Sequence, residues 1–416
     1  MAQRIDTNIK LDTERLWTSI HEIAKIGPGK AGGNNRQALT DEDGEARHLF
    51  RKWCEDAGLT VGVDQMGNMF ATRPGIDPEA LPVFVGSHLD TQPTGGRYDG
   101  VLGVMAGLEI IRTMNELGLK THHPITIVNW TNEEGSRFAP PMLASGVFAG
   151  VHSLEYGLSR LDANGKSLGQ ELNRIGWQGD EACGARKAHA YLELHIEQGP
   201  LLEDNNCEIG VVTRGQGLWW LEFTLTGRES HTGTTPMASR ADATLAMARI
   251  IELARSLAMS NQPDALCGVG QIAVTPNSRN VLPEQVVFTV DIRSPNPDLL
   301  NALRRELETR ARHICDDLDV GCSIEPVGSF EPVKFDMTLA ARLEQAADRL
   351  GYSHMHLTSG AGHDACWMTR VAPSVMLMCP CEGGLSHSEA ESITPDWAAA
   401  SANVLFLATL ETAGIV

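Results

Sequence analysis

The chain has 416 residues, of which 42% are hydrophobic and 21% charged, with a net charge of −19. This composition is that of a soluble globular protein, and the length exceeds one ordinary core, so two domains are predicted. The acidic balance excludes nucleic acid as a partner, because binding it needs a basic surface that displaces phosphate counterions.

The N-terminal segment MAQRIDTNIKLDTERLW is polar, so no signal peptide is expected. No apolar run reaches the roughly 18–20 residues that span a bilayer, and no membrane segment is expected. Ala46, Leu49, Phe50, Trp53, Cys54 and Ala57 fall at helical spacing, with Gly58 as a stop signal. Short extended runs follow around 60–72 and 82–88, then an apolar helix from Val101 to Leu117 ended by Gly118. That helix is hydrophobic on nearly every side, as in the interior of a layered α/β domain. WWLEFTLTG (219–227) alternates, Met237 to Met259 reads as a helix, and two alternating runs cover Leu266–Thr275 and Gln285–Arg293. A helix at Asp298–Asp316 and a strand at Gly321–Val327 complete a β-α-β-β-α-β unit able to fold by itself. Leu339, Leu343, Ala347 and Leu350 mark one more amphipathic helix before Gly351, and SVMLMC (374–379) reads as a buried strand. The expected architecture is therefore α/β, with a discontinuous main domain (1–212 and 331–416) and an inserted ferredoxin-like α+β domain (213–330).

Four short segments in the main domain end apolar runs with residues that bind metals. They are VFVGSHLD (83–90), ITIVNWTNEEG (125–135), YLELHIEQG (191–199) and MLMCPCEGGLSH (376–387), and Asp99 follows the first in TGGRYDGVLG. In open α/β sheets the ligand crevice lies beyond the carboxyl ends of the strands, where such residues converge. His88, Asp99, Glu134, His195 and His387 would supply three imidazoles and two carboxylates, enough for two divalent ions about 3.5–4 Å apart. Taken singly, each has a plain alternative: a polar strand end for His88, a surface turn for Asp99, a solvated loop pair for Glu134 with Glu133, a satisfied structural histidine for His195, a mobile loop imidazole for His387. Asp90, two residues from His88 on an extended chain, shares its side and is expected to orient its ring. Glu133 and Glu134 point to opposite sides, so that one can hold a metal while the other faces water.

Competing motifs lack their context. GKSLG (165–169) fits GxSxG, but the polar LDAN before it is no strand. GAGHDA (360–365) fits GxGxxA without a clear strand before it, and GPGKAGGNN (27–35) is no phosphate loop because Ala follows Lys30. HExxH is absent. The nine cysteines contain no CxxC and are expected as free thiols in a reducing cytoplasm, with Cys379 and Cys381 as packing residues.

Seven motifs in order along almost the whole chain carry a family resemblance: GSHLDTQPTGGRYDGVLGV (86–104), TNEEGSRF (131–138), HIEQGP (195–200), GRESHTGTTPM (227–237), PNSRNVLP (276–283), SGAGHDA (359–365) and LSHSEAE (385–391). The chain resembles the zinc-dependent aminoacylase and carboxypeptidase-G-like clan, and within it the N-carbamoyl-amino-acid hydrolases: L-carbamoylases, β-ureidopropionases and allantoate amidohydrolases. The resemblance implies that Asp99 bridges two metals, His88 and His195 completing one site and Glu134 and His387 the other. It implies Glu133 as general base and a non-proline cis bond after Asp99. It further implies that His231 stabilises the oxyanion from the other subunit of a homodimer. Asn280 and Arg293 would hold the substrate carboxylate, with Gln198 and Gly360 lining the same pocket, whereas His363 and Asp364 receive no role. Arg293 would answer the acidity of the chain, since a guanidinium grips a carboxylate bidentately.

The activity so implied is hydrolysis of the ureido C–N bond of an N-carbamoyl amino acid, giving ammonia, carbon dioxide and the amino acid. Zinc suits the all N/O ligand set, as do manganese, cobalt and nickel. Putting His231 and Arg293 on the inserted domain leads to the expectation that this domain closes over substrate, with hinges near 212 and 330. Allantoate hydrolysis uses the same machinery, and aminoacylase or dipeptidase activity is the reading from the peptidase side. A non-catalytic metal-binding protein on this fold would be expected to have lost the base or a ligand, and none is missing.

Overall fold

The computed structural model describes residues 9–416. The chain divides into two units, one running through Thr213 and resuming at Lys334–Val416, the other Arg214–Val333.

In the first unit the strands Ile125–Trp130, Val83–His88, Ala190–Ile196 and Ser374–Cys379 lie side by side in that order, all parallel and all buried along their length. Covered on both faces, they read as near-continuous apolar runs rather than alternating ones. Antiparallel strands extend the sheet outward: Met69–Arg73 pairs with Ile125–Trp130, Thr60–Val63 lies beyond it, and Ile209–Gly215 pairs with Ser374–Cys379. Because the four central strands point the same way, His88, the Glu133–Glu134 turn, His195 and the loop to His387 all leave one end of the sheet.

The helix Val101–Glu116 packs on the strand Val83–His88, and Pro395–Ala413 packs on Ala190–Ile196 and Ser374–Cys379. Apolar on nearly every face, both are core helices. The second begins with Thr394 accepting from the Trp397 N–H at 3.1 Å and with Pro395 in the first turn, where a missing N–H costs nothing. The sequence reading missed it: it shows no 3.6-residue stripe, and unlike that of Val101–Glu116 its apolar run is broken early, at Ser401 and Asn403. The amphipathic helix Met337–Leu350 stops at Gly351, whose φ of 77° makes a left-handed cap.

The second unit has its own core. Its five-stranded antiparallel sheet runs Ile272–Thr275, Gln285–Ser294, Gly217–Thr226, Gly321–Phe330, with Leu266–Gly268 also paired to Gln285–Ser294. Alternate residues of Gln285–Ser294 are buried beneath the helices Ala243–Met259 and Pro297–Asp317. The run expected at Leu266–Thr275 is two short strands, interrupted around Gly268 and Gly270. The helix expected from Met237 starts at Ala243 instead, because the Asp242 side chain caps it by accepting from the Leu245 N–H at 3.0 Å.

Two further expectations need correction, and one, the rejection of GKSLG as a nucleophile turn, is borne out. The strand His354–Ser359 and the one-turn helix Asp364–Met368 do flank GAGHDA; the strand was missed because only Met355 and Leu357 in it are apolar. Within GKSLG, Ser167 caps the helix Leu168–Arg174 in a reciprocal capping box with Gln170, a structural role. The cis bonds among the described residues all precede proline, so the one expected after Asp99 is not there; Gly100 makes the turn with φ 67°.

Candidate metal centre

Strand ends deliver the first two imidazoles. His88 closes Val83–His88 and His195 is the penultimate residue of Ala190–Ile196; both are buried. Their Nδ1 atoms face backbone carbonyls, His88 that of Asp90 at 2.9 Å and His195 that of Ile196 at 3.0 Å. A ring whose Nδ1 donates to a carbonyl leaves Nε2 as the free electron pair, the tautomer a metal requires.

Both Nε2 atoms converge on Asp99. His195 Nε2 lies 3.0 Å and His88 Nε2 3.5 Å from Oδ1. Among the described residues neither nitrogen has a well-aligned hydrogen-bond partner, although both are buried. On the other oxygen, His387 Nε2 stands 3.5 Å from Asp99 Oδ2 and 3.4 Å from Glu134 Oε2. Asp99 is thus shared by two groups that could each hold a cation, one with His88 and His195, the other with Glu134 and His387. Unpartnered imidazole nitrogens facing carboxylate oxygens are the donor set a divalent ion would satisfy.

Glu133 lies beside the first group, Oε2 at 3.5 Å from His88 Nε2. Burial pushes its carboxyl well above the usual range, and the neighbouring Asp364, Glu134 and Asp99 push the same way. Burial and Asp99 likewise raise Glu134 to about 7. Asp99 itself is held well below the ordinary range: burial would raise it, but the three surrounding histidines outweigh that cost. A cavity with this much buried carboxylate is short of positive charge, and cations would supply it.

The loops carry visible strain. Asn132, Gln198 and His387 have positive φ (58°, 59° and 53°), a region that costs non-glycine residues on the order of 1–3 kcal/mol and concentrates at functional sites. Gly100 is required: a Cβ there would sit 2.4 Å from the His88 ring.

Asp90 acts differently from the expectation. Its backbone carbonyl, not its carboxylate, meets the His88 ring; the carboxylate accepts the backbone N–H groups of Glu133 and Glu134, each at 3.3 Å. Gln198 donates through Nε2 to Asp99 Oδ2 at 2.8 Å, and Gln92 through Nε2 to Glu134 Oε2 at 2.7 Å. Gln92 escaped the sequence reading because nothing local distinguishes a loop glutamine. His363, to which that reading gave no role, packs on His195 with ring centroids 4.4 Å apart. Burial and the nearby His195 push its pKa well below 6.5, and its Nε2 has no hydrogen-bond partner among the described residues. Gly360 lies in the same loop.

In the second unit, His231 pairs with Val281 in a two-residue ladder and Thr232 N–H donates to the Asn280 carbonyl at 3.1 Å. His231 Nδ1 accepts from the N–H groups of Gly233 (3.0 Å) and Thr234 (3.2 Å), so in the neutral ring the proton sits on Nε2. Arg293 is held by Asp291, with Nη2 to Oδ2 at 2.7 Å and Nε to Oδ1 at 3.1 Å. All nine cysteines are free, and neither Cys379 nor Cys381 belongs to the two ligand groups. No helix among the described residues is long and apolar enough to cross a membrane.

A mixed α/β sheet whose four central strands are parallel, with paired ligand groups beyond their ends, defines a metallohydrolase-like site. The chain belongs to Peptidase family M20/M25/M40, which it matches over residues 84–411. It is 66% identical to an N-carbamoyl-L-amino-acid amidohydrolase of Rhizobium meliloti over 98% of both chains. It is also 32% identical to allantoate deiminase 1 of Glycine max, over 99% of this chain and 92% of that one. A crystal structure of a hydantoinase/carbamoylase family amidase from Burkholderia multivorans superposes with a TM-score of 0.94 at 50% identity, covering 97% of this chain and 98% of that one.

Proposed function

We propose that this enzyme hydrolyses the ureido C–N bond of N-carbamoyl amino acids, releasing ammonia, carbon dioxide and the free amino acid. The observation that carries the reading is Asp99, shared between the His88–His195 pair and the Glu134–His387 pair, with Glu133 alongside. The Rhizobium meliloti relative, named for this activity and 66% identical, supports the substrate class.

Divalent cations at the two groups, with zinc the first choice for an all N/O set, would supply Lewis-acid polarisation and lower the pKa of water from 15.7 to about 7. Glu133, whose burial gives it a high proton affinity, takes the proton of the attacking water and returns it to the departing nitrogen. His231 donates through Nε2 to the oxygen on which charge develops. It does so from the partner subunit of a homodimer, the inserted unit serving as lid and dimerisation domain. Arg293 and Asn280 hold the substrate carboxylate, which takes its place beside or in exchange for Asp291 on the guanidinium. Gln198 and the loop at Gly360 line the pocket.

Allantoate is the second reading, favoured by the allantoate deiminase relative. Ammonia release from N-carbamoyl-L-methionine, N-carbamoyl-β-alanine and allantoate separates the candidates. Turnover of either carbamoyl compound well above allantoate is expected; allantoate as the sole substrate would overturn the assignment, and cleavage of dipeptides alone would move it to the peptidase side.

A further inference from the structure

Of the three imidazoles around Asp99, His387 alone has no strand to hold it. His88 and His195 end buried strands and are fixed through Nδ1 by backbone carbonyls. His387 sits in a loop with its side chain 51% exposed, a left-handed backbone and no hydrogen bond at Nδ1 among the described residues. Its position therefore depends on what fastens the loop.

Two carboxylates do so. Glu391 accepts from the backbone N–H groups of Tyr98 (3.1 Å) and Asp99 (3.2 Å) and from Ser386 Oγ (3.2 Å), tying the loop to the Asp99 turn. Two residues after His387, Glu389 reaches the other way, into the Gly-rich loop 27–35. Its Oε2 accepts the N–H of Ala31 and, at 3.2 Å, that of Gly33. Successive backbone N–H groups turned inward make a concavity for an anion, and here a carboxylate of the same chain fills it.

The cradle is shaped for that occupant. A Cβ on Gly29 would lie 2.3 Å from Glu389 Oε2, and one on Gly33 would lie 2.7 Å from the Glu389 Cα. It is also rigid. Gly29 N–H donates to the Gly33 carbonyl, Asn34 and Gly95 exchange two backbone hydrogen bonds, and the Asn34 side chain donates to the carbonyls of Ala24 and Gly27. The buried Arg36 continues the attachment, donating to the carbonyls of Leu89 and Ile26.

We infer that Glu389, seated in the Gly29–Gly33 cradle, is a positioning residue for His387, and so for the cation group of Asp99, Glu134 and His387 but not for that of Asp99, His88 and His195. This rests on the two-cation reading above.

The test titrates metal-free protein calorimetrically with Zn2+ and records its thermal midpoint and the hydrogen exchange of the Ala31 and Gly33 amides. The buried group of Asp99, His88 and His195 is assigned the first equivalent and the more exposed group of Asp99, Glu134 and His387 the second. In Glu389→Ala the second should bind at least about 10-fold more weakly, as when an outer partner of a metal ligand is lost, with the first unchanged. Both amides should lose protection, with a lower thermal midpoint from the N–H groups left without an acceptor. Glu389→Gln, which keeps an acceptor oxygen, should fall between wild type and alanine, and Gly29→Ala should reproduce Glu389→Ala. In a His387→Ala background, Glu389→Ala should weaken the second equivalent no further. Wild-type affinity for both equivalents in Glu389→Ala would overturn the inference. So would equal weakening of both equivalents, the mark of a general structural role. Wild-type protein that takes up fewer than two equivalents would overturn the two-cation reading itself, and is recognised before any substitution is made.

Discussion

Asp90 holds Glu133 by its main chain: Oδ1 accepts the Glu133 N–H at 3.3 Å, and Oδ2 accepts that of Glu134 at the same distance. One buried carboxylate therefore sets the turn that presents both acidic side chains. Asp90→Ala leaves these N–H groups without an acceptor, at a cost of about 1–3 kcal/mol for each one buried. Urea denaturation of the metal-free variant should show that loss, with the first metal equivalent retained because His88 contacts only the Asp90 backbone.

Glu133→Gln keeps the size of the side chain and removes its proton affinity. Activity should fall by about 10²–10⁴-fold, the range for a lost general base, with metal content unchanged. Ammonia release measured beside metal analysis decides it; a variant that keeps its metal and turns over at the wild-type rate rules Glu133 out as base.

At Gly100 a methyl group would collide with the His88 ring at 2.4 Å, on a backbone with φ 67° that disfavours any side chain. Gly100→Ala should displace His88 and weaken the first equivalent in a Zn2+ titration by about 10-fold or more. Unaltered binding would show that His88 is not a ligand.

Removing metal with a chelator should abolish ammonia release, and added Zn2+, Mn2+ or Co2+ should restore it. Stability should follow, since a ligand at 100 times its Kd stabilises the folded state by about 2.7 kcal/mol. A thermal melt with and without metal reads this. Full activity after exhaustive chelation would end the two-cation mechanism.

The subunit assignment of His231 is open to complementation. His231→Ala alone should lower kcat by about 10²-fold or more, the usual cost of one oxyanion donor. Mixing it with Glu133→Gln under conditions that exchange subunits should restore activity, because one site of each mixed two-fold dimer is then intact. About a quarter of the wild-type rate is expected for random exchange at equal amounts. No recovery in verified mixed dimers would place His231 in the site of its own chain.

Much of the main domain was legible in the chain. Strands buried on both faces must be apolar throughout, so VFVGSH, ITIVNW, YLELHI and SVMLMC announced themselves, and each led to a candidate ligand at its end or shortly beyond it. The alternation of Gln285–Arg293 similarly reported a sheet covered on one side. The helix Pro395–Ala413 was hidden because burial on all sides erases the helical period and, unlike Val101–Glu116, Ser401 and Asn403 break its apolar run early. His354–Ser359 had too little apolar surface to register as a strand.

What the sequence by itself determined was which segments are interior strands and which residue types wait at their ends, because period and apolar content follow from burial over a few neighbouring positions. Only the tertiary structure decided which partners those residues meet. Asp90 takes the amides of Glu133 and Glu134, Gln92 takes Glu134, and Glu389 seats in a loop 358 residues earlier in the chain. Such contacts depend on strand order and on where loops return. These are set by the packing of the whole chain and leave no trace in the local pattern of any one segment.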